Sequence, residues 1–192
     1  MNIILASASP RRKELLELIN LSFTIQSSNI DEIIDETLSL EKKIEKLSYQ
    51  KAYDISLKNK GNNLIIGADT IVELNNEILG KPKDKNDASR MLNLLSGKEH
   101  NVITAITLID TSNDKFISTH EKTKVKFIEL NQDKINKYID SGEPMDKAGA
   151  YAIQGLGVMF VKSISGCYTN VVGLPIPLLT NILEKEFNIK PL

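Results

Sequence analysis

The chain has 192 residues and a formal net charge of -1, from 24 Lys+Arg against 25 Asp+Glu. That length favours one domain, or two closely joined lobes, with enough chain to bury a real core. Balanced charge argues against a general nucleic-acid or membrane-surface binder, and a single cysteine, Cys167, rules out an internal disulfide.

No repeat, low-complexity tract or linker divides residues 1–192, which are read as one folding unit. Asn2 to Ala6 predicts a short strand. Ser9-Pro10, ahead of Leu15, Leu16, Leu18 and Ile19, predicts a helix with serine as N-cap and proline at N1. Phe23 to Gln26 suits a second strand, and Leu40 to Lys58 a long amphipathic helix with Leu40, Ile44, Leu47 and Ile55 on one face. Helical spacing puts Lys51 on the same stripe. Leu64 to Leu74 is a β-rich run with Asp69-Thr70 in its middle, and Asn75-Asn76 turns it into a hairpin with Glu77 to Leu79. Asp87 to Leu95 predicts a helix closed by Gly97, and Val102 to Ile109 a buried strand. Thr119 to Phe127 alternates as a half-exposed strand, Asp133 to Ile139 is a short helix, and Pro177 to Phe187 is a C-terminal helix. Strands alternating with helices, with hairpins mixed in, predict an α/β protein with a mixed sheet.

No Cys/His cluster has zinc-ligand spacing, and the opening residues lack both a basic n-region and a membrane-length apolar run. A soluble, cytoplasmic protein is expected. With histidine confined to His100 and His120, the carboxylates are the better place to look for catalysis. Only three of the positive residues are arginine, and two of them, Arg11 and Arg12, are adjacent. They follow Ser7-Ala8-Ser9-Pro10 at a helix start, where cations oppose the macrodipole. An anion gripped jointly by N–H donors, hydroxyls of Ser7 and Ser9 and the two guanidiniums would explain them; a solvated basic turn reaching surface carboxylates is the other reading.

Asp69 sits in a run that looks buried on both faces, where a carboxylate must be paired, protonated or metal-bound. Acid/base or metal work and a structural cap on a neighbouring loop both satisfy this, and Gly67, which permits close backbone approach, favours a site. Lys51 alone is explained by a stem laid on the core with its head in water. Lys81, in Gly80-Lys81-Pro82, could aim into the same cleft. Asp31-Glu32 could add a carboxylate for a divalent ion or form a solvated acidic loop. Ser96-Gly97 and His100 are explained as a helix end and a strand entry. The glycine-rich stretch from Gly142 to Gly157 exceeds what a connection needs and reads as a binding surface, with Gln154 able to donate and accept at a base edge.

Taken together, Ser7-x-Ser9-Pro10-Arg11-Arg12, Gly67-Ala68-Asp69-Thr70, Gly80-Lys81-Pro82, Ser96-Gly97-x-x-His100 and Glu143-Pro144-x-Asp146-Lys147-Ala148-Gly149-Ala150-Tyr151-x-Ile153-Gln154-Gly155 resemble the Maf family of nucleoside triphosphate pyrophosphatases. The resemblance runs in order from Ile3 to Gly173-Leu174-Pro175. It implies an inosine triphosphate pyrophosphatase-like α/β fold, a mixed twisted sheet in two lobes around a central cleft, and a homodimer. It also implies cleavage of a nucleoside triphosphate to the monophosphate and pyrophosphate with Mg²⁺ or Mn²⁺. On this resemblance Asp69 is the proton acceptor, Lys51 and Lys81 assist it, and Ser7, Ser9, Arg11 and Arg12 hold the phosphates. Glu32 and Asp69 are the metal carboxylates, with Asp69's division between base and ligand left open. Arg12, Thr70 and Gln154 match the pattern of the branch acting on dTTP and UTP, with modified pyrimidine nucleotides as further substrates. A nucleotide-binding or nucleic-acid-associated regulator is the rival class, since the resemblance also carries a tie to arrest of cell division; on the enzyme reading any such effect would act through nucleotide pools. A duplex-DNA binder would show steep salt dependence and is opposed by the charge balance.

Overall fold

Runs rich in Ile, Val and Leu become strands and capped amphipathic runs become helices, in alternation along the chain. The computed structural model describes residues 1–31, 33 and 35–191. In order these form β1 (Asn2–Leu5), α1 (Pro10–Leu18), β2 (Thr24–Ile25), α2 (Leu40–Lys58), β3 (Asn63–Leu74), β4 (Glu77–Leu79), α3 (Lys85–Leu95), β5 (Glu99–Asp110), β6 (Phe116–Phe127) and α4 (Gln132–Asp140). Three 3-10 turns follow, at Glu143–Asp146, Ala148–Ala150 and Leu156–Phe160, and then β7 (Val161–Ser165), α5 (Tyr168–Val172) and α6 (Ile176–Phe187).

The strands build a seven-stranded mixed sheet in the order β2-β1-β3-β5-β6-β7, with β4 paired to β3. β1 runs parallel to both neighbours, Ile4 standing opposite Thr24 and Ile65. β4 and β7 are antiparallel additions, with Val72 opposite Leu79 and Lys124 opposite Ser165. The mixed sheet expected from the sequence is therefore present.

The chain divides into two compact units: Met1–Asp69, Thr104–Glu121 and Gly173–Leu192 form the first, and Thr70–Ile103 with Lys122–Val172 the second. In the first, Ile4, Ala6, Ala52, Ile55, Ile65 and Ile109 make a core against which Tyr49 packs. Its long helix, α2, is capped by Ser39, whose side chain accepts from the Lys42 N–H, with Glu41 in its first turn and Lys58 in its last, each complementing the helix dipole. Ile44, Leu47 and Ile55 are buried, as the stripe predicts, and Ala52 with them, while Leu40 is only half-buried. The helix lies directly on the β3 backbone at Gly67, where a Cβ would stand 2.5 Å from Ser48 O and 2.8 Å from Ala52 Cβ.

In the second unit, Leu92, Leu95, Val102, Val125, Phe127, Tyr138, Tyr151 and Phe160 share one core. Its aromatic rings meet edge to face, Phe127 on Tyr151 at 4.7 Å and Tyr138 on Phe160 at 4.9 Å, the arrangement that ring quadrupoles favour.

Several boundaries differ from the sequence expectation, β5 among them, which starts at Glu99 and not at Val102. α3 begins at Lys85 because Asp84 caps it, accepting from the Asp87 N–H. β6 starts at Phe116, and strict in-out alternation holds only from Lys122 to Phe127. β7 and α5 were not expected, since each is five residues long and mixes polar with apolar positions. Among the described residues, no helix is long and apolar enough to cross a membrane.

Candidate active site

In the first unit the chain leaves β1 at Leu5, bends through Ala6-Ser7-Ala8-Ser9 and enters α1 at Pro10. Ser9 occupies the N-cap position, but its side chain makes no capping bond. The buried hydroxyl of Ser7 orders the bend instead: Ser7 Oγ accepts from the Ser9 N–H at 3.2 Å and from Arg12 Nη1 at 3.1 Å. Arg12 Nη1 also donates to Ala68 O at 3.0 Å, and Arg12 Nε donates to Gly173 O at 2.8 Å. Its guanidinium thus ties α1 to the residue before Asp69 in β3 and to the start of the C-terminal segment. Neither sequence reading anticipated backbone carbonyls as its partners. Arg11, half-buried, has no hydrogen-bond or ion-pair partner among the described residues.

Within β3 the buried pattern from Leu64 to Leu74 opens only at Asp69 and Thr70, which are half-buried. Asp69 is satisfied by pairing: Lys51 Nζ donates to its Oδ1, and the two side chains are 15% and 19% exposed respectively. Lys51 reaches that position because the turn from Ser48 to Ala52 sits on Gly67, two residues before Asp69. Close packing at a glycine thus converts a lysine on an apolar stripe into the partner of a strand carboxylate. Asp31 is exposed, and Glu32 lies outside the described residues. Among the described residues, no group of three or more His, Cys, Asp or Glu side chains is placed to hold a metal. Asp69 offers one hard oxygen donor. That donor set fits Mg²⁺ or Mn²⁺ bound together with substrate phosphates, because such ions keep several waters and need only one or two carboxylates.

The second unit carries Thr70, Lys81 and Gln154. Lys81 is exposed in the turn after β4, beside Gly80, whose carbonyl accepts from Gly149 N–H at 3.0 Å. Gln154 is half-buried, and neither it nor Lys81 has a hydrogen-bond or ion-pair partner among the described residues. The backbone around Gln154 is held on both sides. Tyr138 Oη accepts from the Ala152 N–H at 3.2 Å, and Glu143 accepts from Leu156 N–H at 2.9 Å and from Gly157 N–H at 3.1 Å. The two anchors join, Tyr138 Oη donating to Glu143 Oε1 at 2.9 Å. Burial alone would raise the Glu143 carboxyl, but these hydrogen bonds outweigh it and hold the group below its ordinary range.

Both histidines are structural. His100 is buried with Nε2 2.9 Å from Tyr151 Oη, and burial lowers its imidazole to about 4. His120 Nδ1 lies 2.8 Å from Glu45 Oε1 in the first unit. Sequence reasoning missed Gly173, Tyr138 and Glu143 as supports. The sequence signals were the glycine of Gly173-Leu174-Pro175, which adopts φ 124°, and an acid placed ahead of a glycine-rich loop.

The family model described as Maf-like protein matches residues 2–186, and the chain belongs to that family. It is 59% identical over 186 residues to the dTTP/UTP pyrophosphatase of Ruminiclostridium cellulolyticum, covering 96% of this chain and 95% of that protein. It is 52% identical to the dTTP/UTP pyrophosphatase of Alkaliphilus oremlandii, with 97% of each chain covered. Among solved structures, a HAM1 protein from Coxiella burnetii matches with a TM-score of 0.50 at 16% identity, over 69% of this chain and 75% of that one, a likeness of fold alone.

Proposed function

We propose that the protein is a nucleoside triphosphate pyrophosphatase that cleaves dTTP and UTP, and related modified pyrimidine nucleotides, to the monophosphate and pyrophosphate. Relatives of that name span nearly the whole chain at up to 59% identity. The observation that carries the chemistry is the Lys51–Asp69 pair at the opening in β3. As a water oxygen bonds to phosphorus and the α–β anhydride bond breaks, Asp69 accepts the proton the water loses. Charge then grows on the departing pyrophosphate, and Arg11, Lys51 and Lys81 neutralise it. Ser7 and Ser9 complete the phosphate-binding bend, with Arg12 holding its shape as well as contributing charge. A bound Mg²⁺ or Mn²⁺ would neutralise phosphate oxygens, held by Asp69; the resemblance adds Glu32 as a second carboxylate. Arg12, Thr70 and Gln154 are assigned to choice of base on the same resemblance.

Residues 1–192 are proposed to act as one catalytic domain in two lobes, assembled as a homodimer without stable nucleic-acid partners. A nucleoside triphosphate substrate places the work in the cytoplasm, as sanitation of nucleotide pools, and any effect on cell division follows from those pools. Incubation with dTTP, UTP, dCTP and GTP plus Mg²⁺ tests the activity: pyrophosphate is expected from dTTP and UTP, and none from any nucleotide overturns it. Asp69→Asn is expected to lower turnover by about 10²- to 10⁴-fold while nucleotide binding remains measurable. Wild-type turnover in that variant rejects Asp69 as the base.

A further inference from the structure

Recognition of a base edge needs an amide held in place, because a freely rotating glutamine loses conformational entropy on binding and can present either its donor or its acceptor. Gln154 has no side-chain partner of its own among the described residues, so its placement comes from its backbone. That backbone is unusual. Gly155 adopts φ 124°, where a Cβ would stand 2.6 Å from Glu143 Oε2, and at Gly157 a Cβ would press on Ala152 O and come within 3.0 Å of Tyr138 Oη. Two glycines therefore let the segment close around one carboxylate and one phenol.

We infer that Glu143, with Tyr138, is a positioning residue for substrate specificity: it fixes residues 152–157 so that Gln154 presents its amide to the pyrimidine. This rests on the base-reading role proposed for Gln154. The two carboxylate oxygens take three donors, from Leu156, Gly157 and Tyr138, and Tyr138 Oη takes a fourth from Ala152. Anchors thus stand two residues before Gln154 and two and three residues after it. Ala152, Gly157 and Tyr138 are buried and Glu143 is half-buried, whereas Gln154, Gly155 and Leu156 reach the surface between them. The lowered pKa of Glu143 agrees with a carboxylate that the surrounding donors keep charged. Lys147, whose ammonium pairs with Asp146, adds a further positive charge near it.

Glu143→Gln replaces one acceptor oxygen by an amide donor that must face a backbone N–H, while size is conserved. The measured quantity is the ratio of kcat/KM for dTTP to that for dCTP. Gln154→Ala is expected to lower this ratio by about tenfold or more, the equivalent of one good polar contact. Glu143→Gln is expected to lower it in the same direction, and the double variant to fall no further than Gln154→Ala alone. If Glu143→Gln slows both nucleotides equally and leaves the ratio intact while Gln154→Ala reduces it, the positioning role is overturned and the base-reading role stands. If Gln154→Ala itself leaves the ratio unchanged, the base-reading role fails and the inference with it. Should Glu143→Gln not fold, Tyr138→Phe keeps the ring in the core and removes the hydroxyl from both Glu143 and Ala152; an unchanged ratio there equally overturns the proposal.

Discussion

Gly67→Ala probes how the Lys51–Asp69 pair is brought together. The added Cβ would stand 2.5 Å from Ser48 O, 2.8 Å from Ala52 Cβ and 2.9 Å from Ala52 N. None of these atoms belongs to a side chain that can rotate away, so α2 and β3 must separate. Reaching ordinary contact, which begins at 3.4 Å, requires a movement of about 0.9 Å. Overpacking of this kind destabilises by about 1–3 kcal/mol, which for a chain of this length lowers Tm by roughly 2–12 °C. The functional effect is expected to be larger. Lys51 rides on the displaced turn, and a misplacement of about 1 Å at a reacting group lowers rates by about 10²-fold. Thermal melts followed by circular dichroism and kcat/KM for dTTP measure the two effects separately. A Gly67→Ala protein with wild-type kcat/KM would refute the claim that contact at Gly67 sets the position of Lys51 against Asp69.

Arg12→Lys is expected to destabilise the fold by about 1–3 kcal/mol, because one ammonium cannot replace a fork that reaches Ser7 Oγ, Ala68 O and Gly173 O together. Arg11→Ala is expected to leave stability within about 0.5 kcal/mol of wild type and to raise KM for dTTP about tenfold; thermal melts paired with initial rates distinguish the two, and an exchange of the two phenotypes would contradict the assignment. For pH, the His100 imidazole lies at about 4 when folded against 6.5 ordinarily. The unfolded chain therefore binds the proton first as pH falls, and stability is lost from about pH 6.5 down to about 4. Between pH 7 and pH 5 the loss from this group is about 2 kcal/mol. Urea titrations at both pH values should show that loss shrinking by the same amount in His100→Gln, and an unchanged loss would show that other groups carry it.

Elements whose pattern is local were legible in the sequence. The β-rich run from Leu64 to Leu74, the α2 stripe and the Ser9-Pro10 helix start each declare themselves within one continuous segment, and each is found. β7 and α5 do not, because a five-residue segment carries too little periodicity to stand out from a glycine-rich neighbourhood. The same distinction holds at the site. Asp69 was conspicuous because a carboxylate is costly in a buried strand. Lys51 was not, since its meaning depends on how α2 packs across Gly67, a contact between residues far apart in sequence. The role of Glu143 stayed hidden for the same reason: which backbone N–H groups and which phenol its carboxylate accepts from is decided by folding.

The adjacent arginines suit the proposal that a chain with almost no net charge holds a highly charged substrate. A guanidinium at a helix N-terminus is unfavourable unless something offsets it. For Arg12 the offset is internal, since Ala68 O and Gly173 O are carbonyl dipoles turned towards it and Ser7 Oγ accepts from it as well. These contacts order the bend and leave Arg12 tied to the strand that carries Asp69. Arg11, one residue away, has no such offset among the described residues, and the phosphate proposed to bind there would supply one. Lysine could fill the second role but not the first, because only a planar fork reaches several fixed acceptors at once. On the proposed function the pairing couples shape to charge: the arginine that builds the bend and the arginine proposed to meet the phosphate are neighbours, and the rest of the chain needs no basic excess.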